Sequence, residues 1–147
     1  NGLIAADGAK YVLIHDGARP CITQKIITDS IDAVKIYSAC TVGVPVKDTI
    51  KIVDEDQMGV DTPDRSRLWQ VQTPQSFNRE LLLTCYDGLA HDKCQVITDD
   101  TMIVERYSSV RTKVIMGAYE NLKITTPEDL KIASNFLKKD VDTKMVK

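Results

Sequence analysis

The segment from Tyr11 to Pro20, YVLIHDGARP, constrains the fold most, because a short apolar run stops there abruptly at an acid, a glycine and an arginine. Such a run, bounded by polar turn residues, is typical of a buried strand in a parallel sheet. Ligands of open α/β sheets bind just beyond the carboxyl ends of such strands. We therefore expect Asp16, Gly17 and Arg19 to lie at a ligand site.

The residues that follow predict a strand, helix and strand unit. Thr23 can cap a helix with four apolar residues at helical spacing on one face, namely Ile26, Ile27, Ile31 and Val34. The alternating valines of residues 39–46 then predict a second strand. A series of this kind implies a right-handed parallel crossover.

Residues 49–72 form a different kind of segment. Two β-prone pieces, 49–53 and 68–72, bracket the polar stretches DEDQMG and DTPDRSR. This pattern favours a hairpin-like excursion over a helix. Because the excursion is too polar for a core, we expect an arm that lies in solvent or packs on another subunit.

The second half of the chain continues the alternation of helices and strands. The predicted elements are a helix over 78–89, a helix capped by Thr98, strands over 113–116 and 122–124, and a final helix that Thr126 caps and that ends near Lys139. We expect one α/β domain over residues 1–140, a projecting arm at about 47–72 and a frayed tail over 141–147. The opening NGLIAADGA has the pattern of a helix end closed by Gly8, so we expect the chain to begin inside a domain.

Composition excludes several classes of function. The net charge of −2 gives no basic footprint for nucleic acid. No apolar stretch approaches the roughly 18 residues of a membrane span. The four cysteines lack CxxC spacing, which argues against a zinc site or a redox pair and favours reduced thiols in a cytoplasmic protein; they are Cys21, Cys40, Cys85 and Cys94.

Charged and hydroxyl side chains gather at predicted strand ends and helix starts. The groups are Asp16 with Arg19, Lys47 with Thr49, Asp64 with Arg65 and Arg67, and Glu120 with Lys123. An anionic substrate and a hard divalent metal would account for this mixture, because carboxylates bind Mg²⁺ while cations and hydroxyls orient phosphate oxygens. From spacing alone each group is equally well explained as a surface ion pair.

Six segments occur in one order along the chain. They are HDGARP at 15–20, PVKDT at 45–49, DR at 64–65, QTPQSF at 72–77, ITDD at 97–100 and NLKITTPEDL at 121–130. Together they resemble the 2-C-methyl-D-erythritol 4-phosphate cytidylyltransferases of isoprenoid biosynthesis. The resemblance implies a Rossmann-like nucleotidyltransferase with a mostly parallel sheet, flanking helices and a β-arm. It also implies a reaction that joins CTP to methylerythritol phosphate with Mg²⁺ and releases pyrophosphate.

The resemblance also implies roles for individual residues. Asp16 and Glu120 would bind the metal, although Glu120 stands where many relatives carry an aspartate. Arg65 and Lys123 would be the catalytic residues, and Lys123 would hold the acceptor phosphate. The other substrate-binding positions would be Asp16, Gly17, Arg19, Thr49, Thr73 and Thr98. The arm would reach across a two-fold axis of a homodimer, so that Thr49 and Arg65 complete the neighbour's site.

Several interpretations stay open. Asp16 could cap a turn, Thr73 could be a turn residue before Pro74, and His15 is better explained as a packed core histidine than as a base. Asp99 and Asp100 are better explained by the dipole of their own helix. The glycine-rich, basic loop that grips CTP in the family is not in these 147 residues. We therefore expect no useful turnover from the chain alone, and a ribitol-5-phosphate cytidylyltransferase or a non-catalytic assembly module remain alternatives.

Overall fold

A computed structural model describes residues 2–92 and 96–145, without the side chains of 139–145. Its main sheet has four strands, in the order β1, β5, β2, β6, and a separate two-stranded sheet pairs β3 with β4. The strands are β1 (Tyr11–Ile14), β2 (Ala39–Pro45), β3 (Ile52–Val53), β4 (Gly59–Asp61), β5 (Trp69–Asn78) and β6 (Lys113–Met116). The helices are α1 (Gly2–Ala5), α2 (Gln24–Tyr37), α3 (Arg79–Ala90), α4 (Asp100–Tyr107) and α5 (Pro127–Met145), with a 3₁₀ turn at Arg65–Arg67.

The directions of the strands confirm an α/β sheet that is mostly parallel. β5 pairs antiparallel with both β1 and β2, and β2 pairs parallel with β6, so β1, β2 and β6 all run the same way. The predicted parallel crossover from β1 to β2 therefore skips one position, which β5 fills. The expectation that β1 is a buried parallel strand is wrong, because its residues are partly exposed and its partner, β5, is antiparallel.

Strand β5 is the element that sequence reasoning assigned incorrectly. The sequence predicts an arm that extends to residue 72, yet Trp69, Gln70 and Val71 pair with β2 in the main sheet. A proline inside a run normally argues against a central strand. Pro74 is accommodated because the regular pairing with β1 stops at Gln75 and the register with β2 shifts between Thr41 and Gly43. The irregularity turns Gln72 and Thr73 toward the loops that carry the charged residues, as bulges beside functional sites commonly do.

The helices follow the predicted pattern with one difference in α2. Thr23 caps this helix by accepting a hydrogen bond from the backbone of Ile26, and Val34 is buried. Ile27 and Ile31 are more than a third exposed, because they flank the buried face rather than lie on it. One core cluster lies between β2, β5, α3 and α4, and a second lies where α2 packs on β2. Their buried members are Ala39, Phe77, Leu82, Cys85, Ile103 and Val104 in the first and Ala33, Val34 and Cys40 in the second.

Three further expectations need correction. Residues 122–124 are an extended loop rather than a strand, and the Ile124 amide bonds to the Ala18 carbonyl at 2.8 Å. Asp99 rather than Thr98 caps α4, because its carboxylate accepts the Met102 amide hydrogen at 2.9 Å. Helix α5 continues to Met145 instead of ending near Lys139, since no glycine or proline interrupts it.

The middle of the predicted arm forms a hairpin. β3 and β4 form an exposed antiparallel hairpin, whose turn is closed by Asp54 Oδ1 accepting from the amides of Asp56 and Met58. Helix α1 ends at Ala5, and Gly8, with a φ of 80°, lies in the turn that follows it. Within the described ranges, no helix is long and apolar enough to cross a membrane. Cys40 and Cys85 are buried free thiols, Cys21 is buried with its Sγ 3.8 Å from the Ala133 carbonyl, and the prediction for Cys94 lies outside the described residues.

Candidate functional site

Three charged side chains meet beyond the carboxyl end of β1. Asp16 Oδ2 lies 3.2 Å from Arg19 Nε and 3.2 Å from Lys123 Nζ. Arg19 also donates through Nη1 to the backbone carbonyl of Asn121 at 2.8 Å. The Arg19 side chain is 11% exposed, whereas that of Lys123 is 49% exposed. The fold thus joins residues that are more than a hundred positions apart into one cluster, and Lys123 is its accessible cation.

The electrostatics of this cluster favour an anionic ligand. Burial alone would raise the pKa of the Asp16 carboxyl, but the hydrogen bonds and positive charges of Lys123 and Arg19 outweigh it and lower that pKa. Asp16 is therefore ionised at neutral pH. Two cations share one carboxylate, so the cluster keeps a net positive charge, and its Lys and Arg donors match phosphate oxygens.

Thr73 supports the loop rather than presenting its hydroxyl to solvent. Its Oγ1 accepts a hydrogen bond from the Asp16 amide at 3.0 Å and lies 2.9 Å from His15 Nδ1. His15 Nε2 lies 3.1 Å from the Arg19 carbonyl oxygen. Both ring nitrogens of His15 therefore have polar partners, one on β5 and one in the turn after β1.

The loop of residues 117–124, which carries Lys123, is anchored on β5. Gln72 Nε2 donates to the Ala118 carbonyl at 2.9 Å, and Asn121 Nδ2 donates to the Thr73 carbonyl at 2.9 Å. A Cβ on Gly117 would lie 2.5 Å from Gln72 Oε1, so the close approach of loop and strand requires glycine there. Sequence reasoning missed Gln72 and Asn121 as site residues, although both stand in the QTPQSF and NLK segments.

The root of the arm is tied to the same loop. Arg65 Nη1 donates to the Lys47 carbonyl at 2.6 Å. Lys47 Nζ lies 3.4 Å from the centre of the Tyr119 ring, and the Tyr119 hydroxyl donates to the Pro45 carbonyl at 2.8 Å. Arg65 and the neighbouring Thr49 are exposed. Within its own chain Arg65 therefore contacts the arm root and leaves its remaining donors available to solvent.

Two other predicted site residues, Gly17 and Thr98, make few contacts within the described part of the chain. A Cβ added at Gly17 would meet nothing within 4 Å, so no contact within the chain requires glycine there. Thr98 is exposed and bonds to Met102 Sδ at 3.7 Å. Thr98 adjoins the start of α4, and Gln75 links this helix start to β5. Gln75 Nε2 donates to Asp99 Oδ2 at 2.8 Å, and Gln75 Oε1 accepts from the Asp100 amide at 3.0 Å. Asp99 caps α4, in keeping with the interpretation that Asp99 and Asp100 serve their own helix.

Asp16 and Glu120 are the carboxylates predicted to bind a metal ion. Among the residues that the structure describes, no group of three or more His, Cys, Asp or Glu side chains could hold a metal ion. Mg²⁺ is commonly bound by one or two carboxylates together with substrate phosphates. Asp16 fits that requirement, because it is ionised, partly exposed and makes both ion pairs through Oδ2. Glu120 is exposed on the neighbouring loop.

Comparison with known proteins decides which family this site belongs to. The family model for 2-C-methyl-D-erythritol 4-phosphate cytidylyltransferase, IspD, matches residues 1–139. The chain belongs to this family. The cytidylyltransferase of Lachnospira eligens is 50% identical over 87% of the chain, and that of Caldanaerobacter subterraneus subsp. tengcongensis is 49% identical over 95%.

Solved structures of the IspD family share the fold. The enzyme of Anaerococcus prevotii, described as 4-diphosphocytidyl-2C-methyl-D-erythritol synthase, aligns over 93% of this chain with a TM-score of 0.85 at 35% identity. That of Thermus thermophilus aligns over 92% with a TM-score of 0.81 at 27% identity. The chain spans 57% and 61% of the two curated relatives' lengths, and 63% and 65% of the two solved chains. The predicted family and Rossmann-like architecture are confirmed.

Proposed function

We propose that this chain supplies the acceptor side of a cytidylyltransferase site that transfers a cytidylyl group from CTP to 2-C-methyl-D-erythritol 4-phosphate and releases pyrophosphate. The observation that carries the proposal is the convergence of Arg19 and Lys123 on Asp16 beyond the end of β1. This is the edge of an α/β sheet where ligands bind. The relatives and solved structures similar to this chain carry the name of that enzyme.

The acceptor phosphate binds where positive charge is accessible. Lys123 Nζ is half exposed and can turn from Asp16 toward an incoming phosphate, whereas Arg19 is held at its Nε and Nη1 by Asp16 and Asn121. Arg19 therefore contributes a fixed positive charge, and Lys123 contributes a mobile donor. Thr98 and the backbone at Gly17 complete the substrate contacts, and Thr73 acts by holding the Asp16 amide.

The chemistry needs placement more than covalent participation. In nucleotidyl transfer the acceptor phosphate attacks the α-phosphorus in line, and most of the acceleration comes from aligning two polyanions and neutralising the developing charge. Lys123 and Arg65 supply that positive charge on the acceptor side. When bound, Mg²⁺ would be held by Asp16, with Glu120 as a second carboxylate, and would neutralise phosphate oxygens.

The arm supports a homodimer. It exposes apolar side chains that a monomer would leave in water, namely Ile50, Ile52, Val53, Met58 and Val60, of which Met58 and Val60 are each 66% exposed. Packing against a two-fold mate would cover these side chains and the edges of β3 and β4. Arg65 and Thr49 at the arm root would then complete the mate's acceptor site.

The whole reaction requires cations around the triphosphate as well as around the acceptor. These 147 residues carry no glycine-rich basic loop of the kind that cradles phosphates. We therefore expect the chain to bind methylerythritol phosphate without turning over CTP at family-like rates. Cytoplasmic function is supported by the buried free thiols of Cys40 and Cys85, because secreted small domains commonly pair their cysteines.

Calorimetry on the 147-residue chain tests this proposal. We expect methylerythritol phosphate to bind more tightly than ribitol 5-phosphate. Lys123→Ala should weaken acceptor binding by about 1.5 to 3 kcal/mol, the range for a hydrogen bond to a charged group. Lys25→Ala is the matched control, because Lys25 pairs with Asp29 on the exposed face of α2. Unchanged affinity in Lys123→Ala would remove Lys123 from the site, and preference for ribitol 5-phosphate would replace the proposed acceptor.

A further inference from the structure

His15 precedes Asp16, and its side chain spans the turn that carries both Asp16 and Arg19. Nδ1 lies 2.9 Å from Thr73 Oγ1, and Nε2 lies 3.1 Å from the Arg19 carbonyl oxygen. The turn itself is closed by the Arg19 amide, which donates to the Asp16 carbonyl at 3.0 Å. His15 therefore links β5 on one side to the far end of the turn on the other.

The partners of His15 dictate where its hydrogen lies. A backbone carbonyl can only accept, so Nε2 carries the hydrogen that it donates to Arg19 O. Thr73 Oγ1 already accepts the Asp16 amide at 3.0 Å, and its single hydrogen is free to be donated to Nδ1. This arrangement satisfies every donor and acceptor of His15 and Thr73 with a neutral ring. The hydrogen bonds run without a break from the Asp16 amide to the Arg19 carbonyl.

We propose that His15 is a positioning residue, which fixes the turn so that Asp16 and Arg19 keep one arrangement toward the acceptor phosphate. The proposal rests on the proposed function for the identity of that ligand. Arg19 is held at four points: its amide by the Asp16 carbonyl, its carbonyl by His15, and its guanidinium by Asp16 and Asn121. Without His15 the Arg19 carbonyl loses its donor and Thr73 loses its acceptor, so the turn is less restrained before ligand binds.

Nitrogen NMR of the imidazole tests the hydrogen-bond arrangement directly. In the metal-free chain we expect Nε2 to bear the hydrogen and Nδ1 to be an acceptor. Thr73→Val should shift the Nδ1 resonance because it removes the hydroxyl without changing the branching of the side chain, and Thr73→Ser should restore the resonance. A hydrogen on Nδ1, or an Nδ1 resonance indifferent to Thr73→Val, would overturn the proposal.

Acceptor binding tests the consequence. His15→Leu makes neither bond, and we expect it to weaken binding of methylerythritol phosphate about tenfold, as the loss of one net hydrogen bond would. His15→Gln can still donate to the Arg19 carbonyl and should recover most of that loss. His91→Gln is the control, because His91 is exposed at the end of α3.

The two measurements separate failure of this inference from failure of the proposed function. If the wild-type chain binds no methylerythritol phosphate, the proposed function fails while the NMR result still decides the arrangement of His15. If the wild-type chain binds and His15→Leu, folded by circular dichroism, binds equally well, the positioning role is wrong. Should His15→Leu not fold, His15→Gln binding as weakly as Lys123→Ala would contradict the role assigned to the Arg19 carbonyl contact.

Discussion

Asn121 connects the parts of the site although its own side chain reaches no solvent. Its Nδ2 donates to the Thr73 carbonyl and to Gln72 Oε1, and its backbone carbonyl accepts from Arg19. Asn121→Ala leaves the buried Gln72 Oε1 and the partly buried Thr73 carbonyl without this donor, so we expect a loss of about 2 to 4 kcal/mol in the free energy of unfolding. Urea denaturation followed by circular dichroism measures this loss.

The control for that experiment is Asn135→Ala, because Asn135 is exposed on α5 and its replacement should change stability by no more than about 0.5 kcal/mol. A loss in Asn121→Ala as small as in the control would show that the loop does not depend on the buried amide.

Residues of the site differ in how far sequence predicts them. Asp16 and Arg19 were predictable from residue type, because opposite charges directly after an apolar run indicate a strand end with a ligand. Lys123 is predicted only through the family resemblance. The sequence groups it with Glu120, whereas the fold pairs it with Asp16. Asn121, Gln72 and His15 could not be predicted, because a buried amide or imidazole gains its role only from the partners that tertiary structure brings to it.

At the scale of elements, the positions of the helices were predicted better than their caps. α2 begins after the predicted cap Thr23, α3 occupies most of the predicted range 78–89, and α5 begins at Pro127, whereas α4 is capped by Asp99 rather than by the predicted Thr98. The sequence predicts the first residues of β5 as part of the arm because they directly follow its polar stretch, and only their register with β2 places them in the main sheet. The loop of 122–124 has strand-like residues but no neighbouring strand to pair with.

The start of α5 carries a pH prediction. The backbone amides of Thr125 and Thr126 donate to the Asp129 carboxylate and, with the Thr126 hydroxyl, lower its pKa below the ordinary value of 3.8. A carboxylate with a lowered folded-state pKa stabilises the fold above its unfolded pKa and loses that contribution as pH falls through the folded value. We therefore expect the stability advantage of wild type over Asp129→Asn to be full at neutral pH and to decline below about pH 4.

Thermal unfolding of both proteins between neutral and acid pH checks this expectation. Glu128→Gln removes a charge from the same helical turn and serves as the comparison for the general helix-dipole effect. A difference between wild type and Asp129→Asn that stays constant across the acid range would contradict the assignment.

At the scale of the whole molecule, the arm and the acceptor loop meet at one point. Lys47 at the arm root contacts Tyr119, two residues before Asn121, and Arg65 bonds to the Lys47 carbonyl. The root of the arm is therefore in direct contact with the loop that carries Lys123. Under the proposed two-fold dimer, each acceptor site combines Lys123 of one subunit with Arg65 of the other.

Mixed dimers test this shared site. A dimer of one Arg65→Ala subunit and one Lys123→Ala subunit has one intact site and one site that lacks both cations. After co-refolding equal amounts, we expect about a quarter of the wild-type number of tight sites for methylerythritol phosphate, measured by calorimetric stoichiometry, whereas each variant alone has none. If Arg65 acts within its own subunit, the mixture will have no tight sites. Val60→Lys in both chains should abolish the recovery by breaking the dimer, and Ile36→Lys, a change at a 72% exposed residue of α2, should not.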